Sequence, residues 1–418
     1  MSMMATRRAI LAGIAASIAT EASARGRTPT YAGVRAVLDG YVAAGKLAGA
    51  CVAIQPRTGA PTFLSFGRVD PDPSAPAFNE RSVARIYSMT KPVTGLAAMQ
   101  LIDEGKLGLD QPIAEIFKEF AAPRVLVDDA TGATRAASGP ILVRHLLTHT
   151  AGLGYSINRG TPLARRYTQA GLTPGSRTPP APGEGEPPTS LAEFATRLAE
   201  QPLASDPGAI WTYSVALDLL GAVIERVAGK PFEDVLRARI FAPLGMNDTA
   251  FFAGPGQAER MTSVLGVSPQ GVQVVDPRGA SPFLKPSPYP AGGAGLVSTA
   301  ADYARLCAAL LGRGEAFGER ILSRKAADLA VSNLLPPGVT AEERGNGFGA
   351  GLRVITPTSA QEGEAPARSY GWGGAAGTTY WCDPTIGVGV VFMAQFFPSS
   401  AYPTAAQVRR AFYADRAG

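Results

Sequence analysis

The sequence predicts an α+β fold, an α/β sandwich built on an antiparallel sheet, with an all-helical domain inserted into it. Three observations support this: strand patterns occur near the N-terminal end, helical periodicity fills the middle, and strand patterns return near the C-terminal end. The 418 residues, 46% of them hydrophobic, are enough for one large core or two that share an interface. We expect an α/β part at about 31–90 and 312–418, a helical part at about 91–311, and a cleft between them.

The first 24 residues have the layout of a twin-arginine-like signal peptide. Arg7 and Arg8 precede an apolar run over 9–19, and small residues at 22–24 follow as a cleavage pattern. That run is too short to span a bilayer, and no later segment offers 18 consecutive apolar residues. We therefore expect a periplasmic or secreted protein, mature over 25–418 and without stable membrane insertion. A cytoplasmic protein with an N-terminal tail is the alternative.

A hairpin and then a series of helices follow along the chain. Runs 49–56 and 61–69, joined by a turn-like Pro-Arg-Thr-Gly, predict a β-hairpin. The helical signal opens at Pro92. Two stripes of apolar residues at helical spacing each predict one buried face: Val93, Leu96, Ala97 and Leu101, and then Leu217, Leu220, Ile224 and Val227.

The C-terminal part returns to strand patterns, at 348–355, 369–383 and 386–395, before a last helix near 402–414. Two segments are rich in Pro and Gly and cannot hold a regular helix: 171–189 and 281–290. They are expected to be surface loops or the rims of a binding cleft.

Composition excludes several kinds of chemistry. The formal charge is +5, from 39 Lys and Arg against 34 Asp and Glu, but the basic residues are scattered, so no nucleic-acid partner is expected. Cys51, Cys307 and Cys382 have no ligand-like spacing, and the two histidines lie four residues apart. We expect the cysteines to fill core space, and no metal or cofactor to be needed.

The tetrapeptide Ser-Met-Thr-Lys, from Ser88 to Lys91, carries a candidate nucleophile and base. If a helix begins near Ser88, residues three apart share a face and the lysine can reach the serine hydroxyl. Pro92 fits this placement because proline is tolerated in the first helical turn. A hydroxyl needs a base at neutral pH, and a buried lysine can become one. On its own, however, the motif is better explained by a capping serine beside a solvated lysine.

Other serine-nucleophile arrangements lack the required residues. No Gly-x-Ser-x-Gly occurs, so the nucleophile elbow of α/β-hydrolases is not indicated. A Ser-His-Asp triad would need His145 or His149. We expect both histidines to be structural, on one face of a short helix and its exit turn at Gly152.

Six segments, taken in their order along the chain, favour a catalytic role for the tetrapeptide over a capping role. They are SMTK, HLLTHTAGLGY, WTYSVALDLLGAVIERVAGKPF, PLGMNDTAF, GGAGLVSTAADYARL and YGWGGAAGT. In this order they resemble serine hydrolases related to class C β-lactamases, and more closely the family VIII carboxylesterases. The likeness runs from about residue 31 to the end. It implies the β-lactamase/transpeptidase-like, or penicillin-recognition, fold.

The resemblance also implies roles for particular residues. Ser88 would be the nucleophile and Lys91 its helical partner. Tyr213, in Thr-Tyr-Ser-Val, matches the tyrosine of the family's Tyr-x-Asn element and would share the proton transfer, since a neighbouring ammonium favours a phenolate. Without the resemblance, a buried core tyrosine at a helix start is the better explanation.

A second motif would supply the oxyanion hole. Trp372, Gly373 and Gly374 stand where the lactamases carry Lys-Thr-Gly on an edge strand, and would contact substrate. The backbone N–H of Ala375 would pair with that of Ser88 around the developing oxyanion. A bulge or close packing in the sheet would also account for the glycines.

Two departures from the lactamase pattern bear on substrate choice. Position 215 is valine where the lactamases have asparagine, and Trp372 replaces the strand lysine. The pocket thereby loses polar and cationic anchors and gains an apolar wall, which suits small neutral esters better than anionic lactams. The tryptophan is shared with family VIII esterases.

The sequence thus predicts a carboxylesterase that acts on a small-molecule ester through an acyl-enzyme on Ser88. Three alternatives remain: a β-lactamase or D-Ala-D-Ala carboxypeptidase, an acyltransferase of the same fold, and a non-catalytic sensor or scaffold that keeps the fold. Oligomeric state, natural substrate and acyl-chain length are not predicted.

Overall fold

The structure is a computed structural model that describes residues 30–175, 180, 183–342, 344–361 and 364–417. The expected signal peptide at 1–24 lies outside these residues and stays a prediction. Within the described ranges, none of the helices combines the length and apolar character that a membrane span requires.

The described residues form both helices and strands, with a run of consecutive helices in the middle of the chain. The helices are α1 Ala32–Ala43, α2 Thr90–Asp103, α3 Val143–Leu147, α4 Pro162–Gln169, α5 Leu191–Ala199, α6 Ala216–Ala228, α7 Phe232–Leu236, α8 Ala242–Leu244, α9 Pro255–Ala258, α10 Ala300–Leu311, α11 Arg324–Ala330 and α12 Thr404–Ala417. The strands are β1 Gly49–Pro56, β2 Thr62–Gly67, β3 Ala84–Arg85, β4 Arg124–Asp128, β5 Ala133–Ala136, β6 Val264–Ser268, β7 Gly271–Asp276, β8 Val297–Ser298, β9 Glu315–Ala316, β10 Glu319–Arg320, β11 Gly347–Phe348, β12 Arg353–Val354, β13 Tyr370–Gly373, β14 Thr379–Asp383, β15 Val388–Ala394 and β16 Phe396–Phe397.

One seven-stranded antiparallel sheet joins the two ends of the chain. Its strand order is β11-β12-β13-β14-β15-β1-β2. The N-terminal hairpin pairs with C-terminal β15 in a register that sets Ala53 opposite Val391. The predicted hairpin and the antiparallel sheet closed by both ends of the chain are confirmed.

Both faces of this sheet are covered by helices. Val52 and Phe392 pack on one face with α1 and α12, and Ala53 and Val391 on the other, where α10 lies. Alternate residues of β1 and β15 therefore enter different cores. This explains why both strands are largely apolar instead of alternating with polar residues.

Helix α2 runs through the interior of the second layer. It contacts α6, α7 and α11, and every residue from Thr90 to Leu101 is buried. The stripe predicted for this helix is buried, but so are its other faces, because neighbours surround it. Helix α6 is likewise buried all round from Ala216 to Ile224.

Two C-terminal segments predicted as single strands fold back as hairpins. Segment 348–355 turns between β11 and β12, where Gly351 has φ 71°. Segment 369–383 turns between β13 and β14, where Gly377 has φ 81°. Both glycines adopt the left-handed backbone that tight turns use, and apolar flanks concealed the turns in the sequence.

The middle of the chain also contains paired strands that the helical periodicity did not predict. Strands β4 and β5 form one hairpin, and β6 and β7 form another that β16 joins in parallel. The predicted loop at 281–290 holds a short 3₁₀ turn, and its Phe283 ring packs edge-on against Tyr87, 5.7 Å between centroids.

Candidate active site

Ser88 lies in a short 3₁₀ turn, Tyr87–Met89, that leads directly into α2. Strand β3 fixes the entry to this turn by pairing with β8. Tyr87 has φ 40°, a left-handed conformation that costs a residue with a side chain on the order of 1–3 kcal/mol. The half-buried Ser88 side chain lines an open cleft.

Two polar side chains converge on the Ser88 hydroxyl. Lys91 Nζ lies 3.2 Å from Ser88 Oγ, one helical turn along the chain. The Tyr213 hydroxyl lies 2.6 Å from the same oxygen, although 125 residues separate the two in sequence. The structure therefore brings together the three residues that the sequence singled out, in hydrogen-bonding range of one atom.

Lys91 is fully buried and makes several contacts. Its Nζ donates a hydrogen bond to the carbonyl oxygen of Gly293 at 2.8 Å. It also lies over the rings of Tyr213 and Tyr155, 4.6 and 5.4 Å from their centroids. These contacts fix the amine on the side of the serine that faces the tyrosine.

Asp218 lies behind this lysine, and the sequence reasoning missed it. Its Oδ1 accepts the N–H of Gly293 at 2.7 Å, and its carboxylate is fully buried on α6. Burial raises the pKa of Asp218 to about 6, against the opposing effect of the Lys91 charge. A Cβ at position 293 would lie 2.4 Å from Asp218 Oδ2, so a larger residue there would displace the carboxylate. The available signal was an acidic residue on a buried face of a helix.

Tyr213 precedes α6 in an extended segment that is pinned to the loop after α3. The backbone N–H of Thr212 donates to His149 O at 2.9 Å, and Asn158 Nδ2 donates to Tyr213 O at 3.1 Å. The Tyr213 ring packs against the His149 ring, 4.9 Å between centroids. Its hydroxyl is thus aimed at the serine by contacts made through the rest of the residue.

Both histidines have structural surroundings. His149 Nδ1 accepts the N–H of Ser214 at 3.2 Å, and burial, with the Lys91 charge, keeps its pKa well below the usual range. His145 Nδ1 accepts the N–H of Leu142 at 3.1 Å, and burial lowers its pKa to about 4. Neither has a hydrogen bond to Ser88 among the described residues, as a Ser-His-Asp triad would require.

The strand that carries Trp372 passes beside the serine turn. A Cβ on Gly374 would lie 2.4 Å from Ile86 O and 2.3 Å from Thr378 Oγ1, so strand and turn meet too closely for any other residue. Ala375 follows and lines the same cleft as Ser88. Gly373 is different, since a Cβ there would come no nearer than 3.4 Å to Thr378 O. Close packing explains Gly374 but not Gly373.

The cleft has a volume of about 410 Å³. Trp372 forms an apolar wall whose ring lies 5.7 Å from that of Tyr213 and 5.2 Å from that of Phe348. Val215 is buried at the start of α6 and is not among the lining residues. Of the two departures from the lactamase pattern, only the tryptophan meets the cleft directly.

Cationic side chains also line this cleft, at positions that no motif pointed to. Arg353 begins β12 and Arg409 lies on α12, and with Glu342 they form one end of the cavity. Loss of the strand lysine therefore does not leave the cleft without positive charge. Among the described residues, no group of three or more His, Cys, Asp or Glu is placed to hold a metal ion. Cys51, Cys307 and Cys382 are free and buried in the core.

Comparison with known proteins gives consistent similarities. The sequence profile of the Beta-lactamase family matches residues 34–414. Esterase EstB from Burkholderia gladioli is 32% identical over 397 residues, which is 91% of this chain and 94% of EstB. Protein Rv1367c from Mycobacterium tuberculosis is 34% identical over 394 residues, or 90% of this chain and 92% of its own length.

A solved structure with a similar fold also shows sequence similarity to this chain. EstCE1, described as a hydrolase with promiscuous acyltransferase activity, is 27% identical and superposes with a TM-score of 0.76. The match covers 91% of this chain and 97% of EstCE1.

Proposed function

The chain belongs to the Beta-lactamase family, and we propose that within it the protein is a serine carboxylesterase that forms its acyl-enzyme on Ser88. The observation that carries this proposal is the convergence of Lys91 Nζ and the Tyr213 hydroxyl on Ser88 Oγ. A nucleophilic serine needs a base in hydrogen-bonding range, and here two candidates are preorganised. The similarity to a named esterase and a named hydrolase supports the same reaction class.

Acylation begins with the ester carbonyl oxygen between the N–H groups of Ser88 and Ala375. Ser88 Oγ attacks the carbonyl carbon, and its proton passes to the Lys91 and Tyr213 pair. The two amides stabilise the tetrahedral oxyanion, and each such donor contributes typically about 3 kcal/mol. The intermediate collapses, the alkoxide leaves with a proton from the same pair, and the acyl group stays on the serine.

Deacylation repeats these steps with water. A water molecule takes the place of the departed alcohol, gives its proton to the Lys91 and Tyr213 pair, and attacks the acyl carbonyl. The second tetrahedral intermediate uses the same two amides and releases the acid as Ser88 Oγ regains its proton. No metal or cofactor is part of this scheme.

The Trp372 wall supports small esters over β-lactams as substrates. A lactamase-like site holds the lactam carboxylate with a strand lysine, and an indole at that position offers apolar surface instead. Small neutral esters need no charged anchor next to the nucleophile. Small neutral esters are therefore the substrate class that we propose.

Acyl transfer to an alcohol is the second candidate. The open cleft admits an alcohol where water would attack, and EstCE1 is described as having promiscuous acyltransferase activity. Both outcomes share the acyl-enzyme and differ only in the nucleophile that removes the acyl group.

One experiment compares the candidates. Wild-type protein should release p-nitrophenol from p-nitrophenyl butyrate with a burst equal to the enzyme concentration, and turn over nitrocefin negligibly. Butyl butyrate formed in added butanol would identify acyl transfer. Ser88→Ala should lose several orders of magnitude in kcat. Binding that survives Ser88→Ala, with no hydrolysis by the wild type, would contradict the proposal and favour a non-catalytic sensor.

A further inference from the structure

A pair of arginines at one end of the cleft has no role in the scheme above. We call Arg353 and Arg409 the arginine patch. Both line the cleft that contains Ser88, and both also line a neighbouring cavity of about 280 Å³. The patch therefore borders both the substrate cleft and a second cavity, which is lined mostly by polar and charged side chains.

Arg353, one member of the patch, contacts the cleft wall. The Arg353 guanidinium lies over the Trp372 ring, 5.7 Å from its centroid. Trp372 in turn contacts the ring of Tyr213, whose hydroxyl reaches Ser88. A continuous contact path thus links the patch to the nucleophile, and a substrate lying along Trp372 would extend from one to the other.

The surrounding charge is positive. Glu342 pairs with Arg353 at 3.1 Å, and Glu364 lies 3.0 Å from Arg409, 3.3 Å from Arg410 and 3.8 Å from Arg344. Among the residues that the structure describes, four guanidiniums share these two carboxylates, which gives those six side chains a formal charge of +2. One glutamate shared by three arginines cannot give each a bidentate partner.

The surroundings of Arg409 are unfavourable for its positive charge. Its side chain is only 14% exposed, and burial, together with the nearby charge of Arg353, lowers the pKa of Arg409. Two like charges kept close together in a half-closed cavity attract an anion more strongly than either would in water. Guanidinium groups favour planar, bidentate partners such as carboxylates.

We propose that the arginine patch binds a carboxylate at the end of the substrate remote from the scissile ester. The inference rests on the proposed esterase function and adds a substrate class to it. Neutral esters fill the cleft near Trp372, and esters that also carry a terminal carboxylate gain a second anchor at Arg353 and Arg409. The ligand carboxylate would compete with Glu342 for the accessible edge of Arg353.

Matched substrate pairs, in which a carboxylate is compared with its methyl ester, test this with only a small change in size. The first pair is p-nitrophenyl hydrogen adipate and its methyl ester, which place the carboxylate on the acyl side. The second pair is 4-acetoxybenzoate and its methyl ester, which place it on the alcohol side. Spontaneous hydrolysis is subtracted for each. We expect kcat/KM for the charged member of at least one pair to exceed that of the neutral member about tenfold at low salt. This preference should shrink in 0.5 M NaCl.

Variants assign the preference to the patch. Arg353→Met should bring the ratio of kcat/KM for the charged and the neutral ester close to one, and Arg353→Lys should retain part of the preference. Arg410→Met is the matched control, because Arg410 also pairs with Glu364 but is 62% exposed and does not line the cleft. It should keep the wild-type ratio. A thermal melt of each variant separates loss of binding from loss of folding.

The outcomes distinguish this inference from the proposed function. Equal or slower hydrolysis of the charged member in both pairs would overturn the inference and leave the esterase intact. A preference that survives in both Arg353→Met and Arg409→Met would also overturn it. Undiminished hydrolysis of the neutral esters by Ser88→Ala would instead contradict the proposed function.

Discussion

Lys91 Nζ lies 2.8 Å from the carbonyl oxygen of Gly293, closer than the 3.2 Å that separates it from Ser88 Oγ. The N–H of the same glycine donates to Asp218 at 2.7 Å. Asp218 therefore reaches Lys91 through a single residue, and its negative charge stabilises an ammonium at Lys91. We assign Asp218 a positioning role, since it has no hydrogen bond to Ser88 among the described residues.

Asp218→Asn should change the pH dependence of the reaction. The pKa of Asp218 is about 6, so lowering the pH through 6 neutralises the carboxylate and should reduce kcat in the wild type. The asparagine variant should be slower above pH 7, by about tenfold for a barrier change of roughly 1.4 kcal/mol, and should lack this acidic limb. Profiles of kcat from pH 4.5 to 8 check the expectation, and an unchanged limb near pH 6 would contradict it.

The raised pKa of Asp218 also predicts how folding stability depends on pH. Here the charged carboxylate is unfavourable, whereas it is favourable for kcat. Burial raises its folded pKa to about 6, above the unfolded value of about 3.9, so the folded state binds the proton more tightly. The stability that this proton contributes is complete below about pH 4 and declines as pH rises toward 6. Asp218→Asn should remove that decline, so its urea midpoint relative to the wild type should rise between pH 4 and pH 7. If the difference in urea midpoint between Asp218→Asn and the wild type stays constant with pH, Asp218 does not carry a buried charge of this kind.

Tyr213→Phe should separate chemistry from packing. The change removes only the hydroxyl that touches Ser88 and keeps the ring contacts with His149 and Trp372. We expect kcat to fall by about 10²- to 10⁴-fold with little change in Tm. Tyr155→Phe is the comparison, because Tyr155 packs on Lys91 but has no hydrogen bond to Ser88 among the described residues. It should retain more activity, and equal losses in the two variants would argue against a proton-transfer role for Tyr213.

Two adjacent glycines should respond differently to alanine. In Gly374→Ala the new Cβ would meet Ile86 O at 2.4 Å, pushing the strand from the serine turn and Ala375 with it. Overpacking of this kind typically costs about 1–3 kcal/mol, and kcat should fall with it. Gly373→Ala meets nothing closer than 3.4 Å and should keep the wild-type Tm. Thermal melts and kcat for both variants test this, and equal destabilisation would contradict the packing described for the strand.

Export remains a prediction from residues 1–24. If the twin-arginine-like segment directs the protein out of the cytoplasm, the mature chain recovered from the periplasm or medium should begin near residue 25. Replacing Arg7 and Arg8 with lysine should retain the protein in the cytoplasm. N-terminal sequencing after cell fractionation makes the measurement, and an intact N-terminus in the cytoplasmic fraction would favour the alternative.

Local sequence patterns predicted many of the helices and strands and pointed to the nucleophile. Ser88 and Lys91 are one helical turn apart, so the tetrapeptide suggested their contact, but the six ordered segments were needed to prefer a nucleophile and base over a capping serine. Tyr213 could not be placed in that way, because its contact with Ser88 depends on how α6 packs against α2; the resemblance to a family supplied it. The hairpin at 49–67 was correctly predicted because its strands are short and its turn residues are explicit.

The features that the sequence did not predict depend on contacts between residues far apart in the chain. Asp218 touches Gly293 across 75 residues, and Arg353 and Arg409 meet at the cleft only when β12 and α12 are in place. Helix α2 was predicted to bury one face, but its neighbours bury all of them. Neither residue spacing nor composition indicates such contacts. Only the structure therefore identifies Asp218, Arg353 and Arg409 as charged residues of the site.

The identity of the nucleophile is tested most directly by mass spectrometry after treatment with a fluorophosphonate probe. The account predicts a single adduct on the peptide that contains Ser88, formed in the wild type and lost in Ser88→Ala, with Lys91→Ala labelled far more slowly. An adduct on a different serine, or equal labelling of Ser88→Ala, would contradict it.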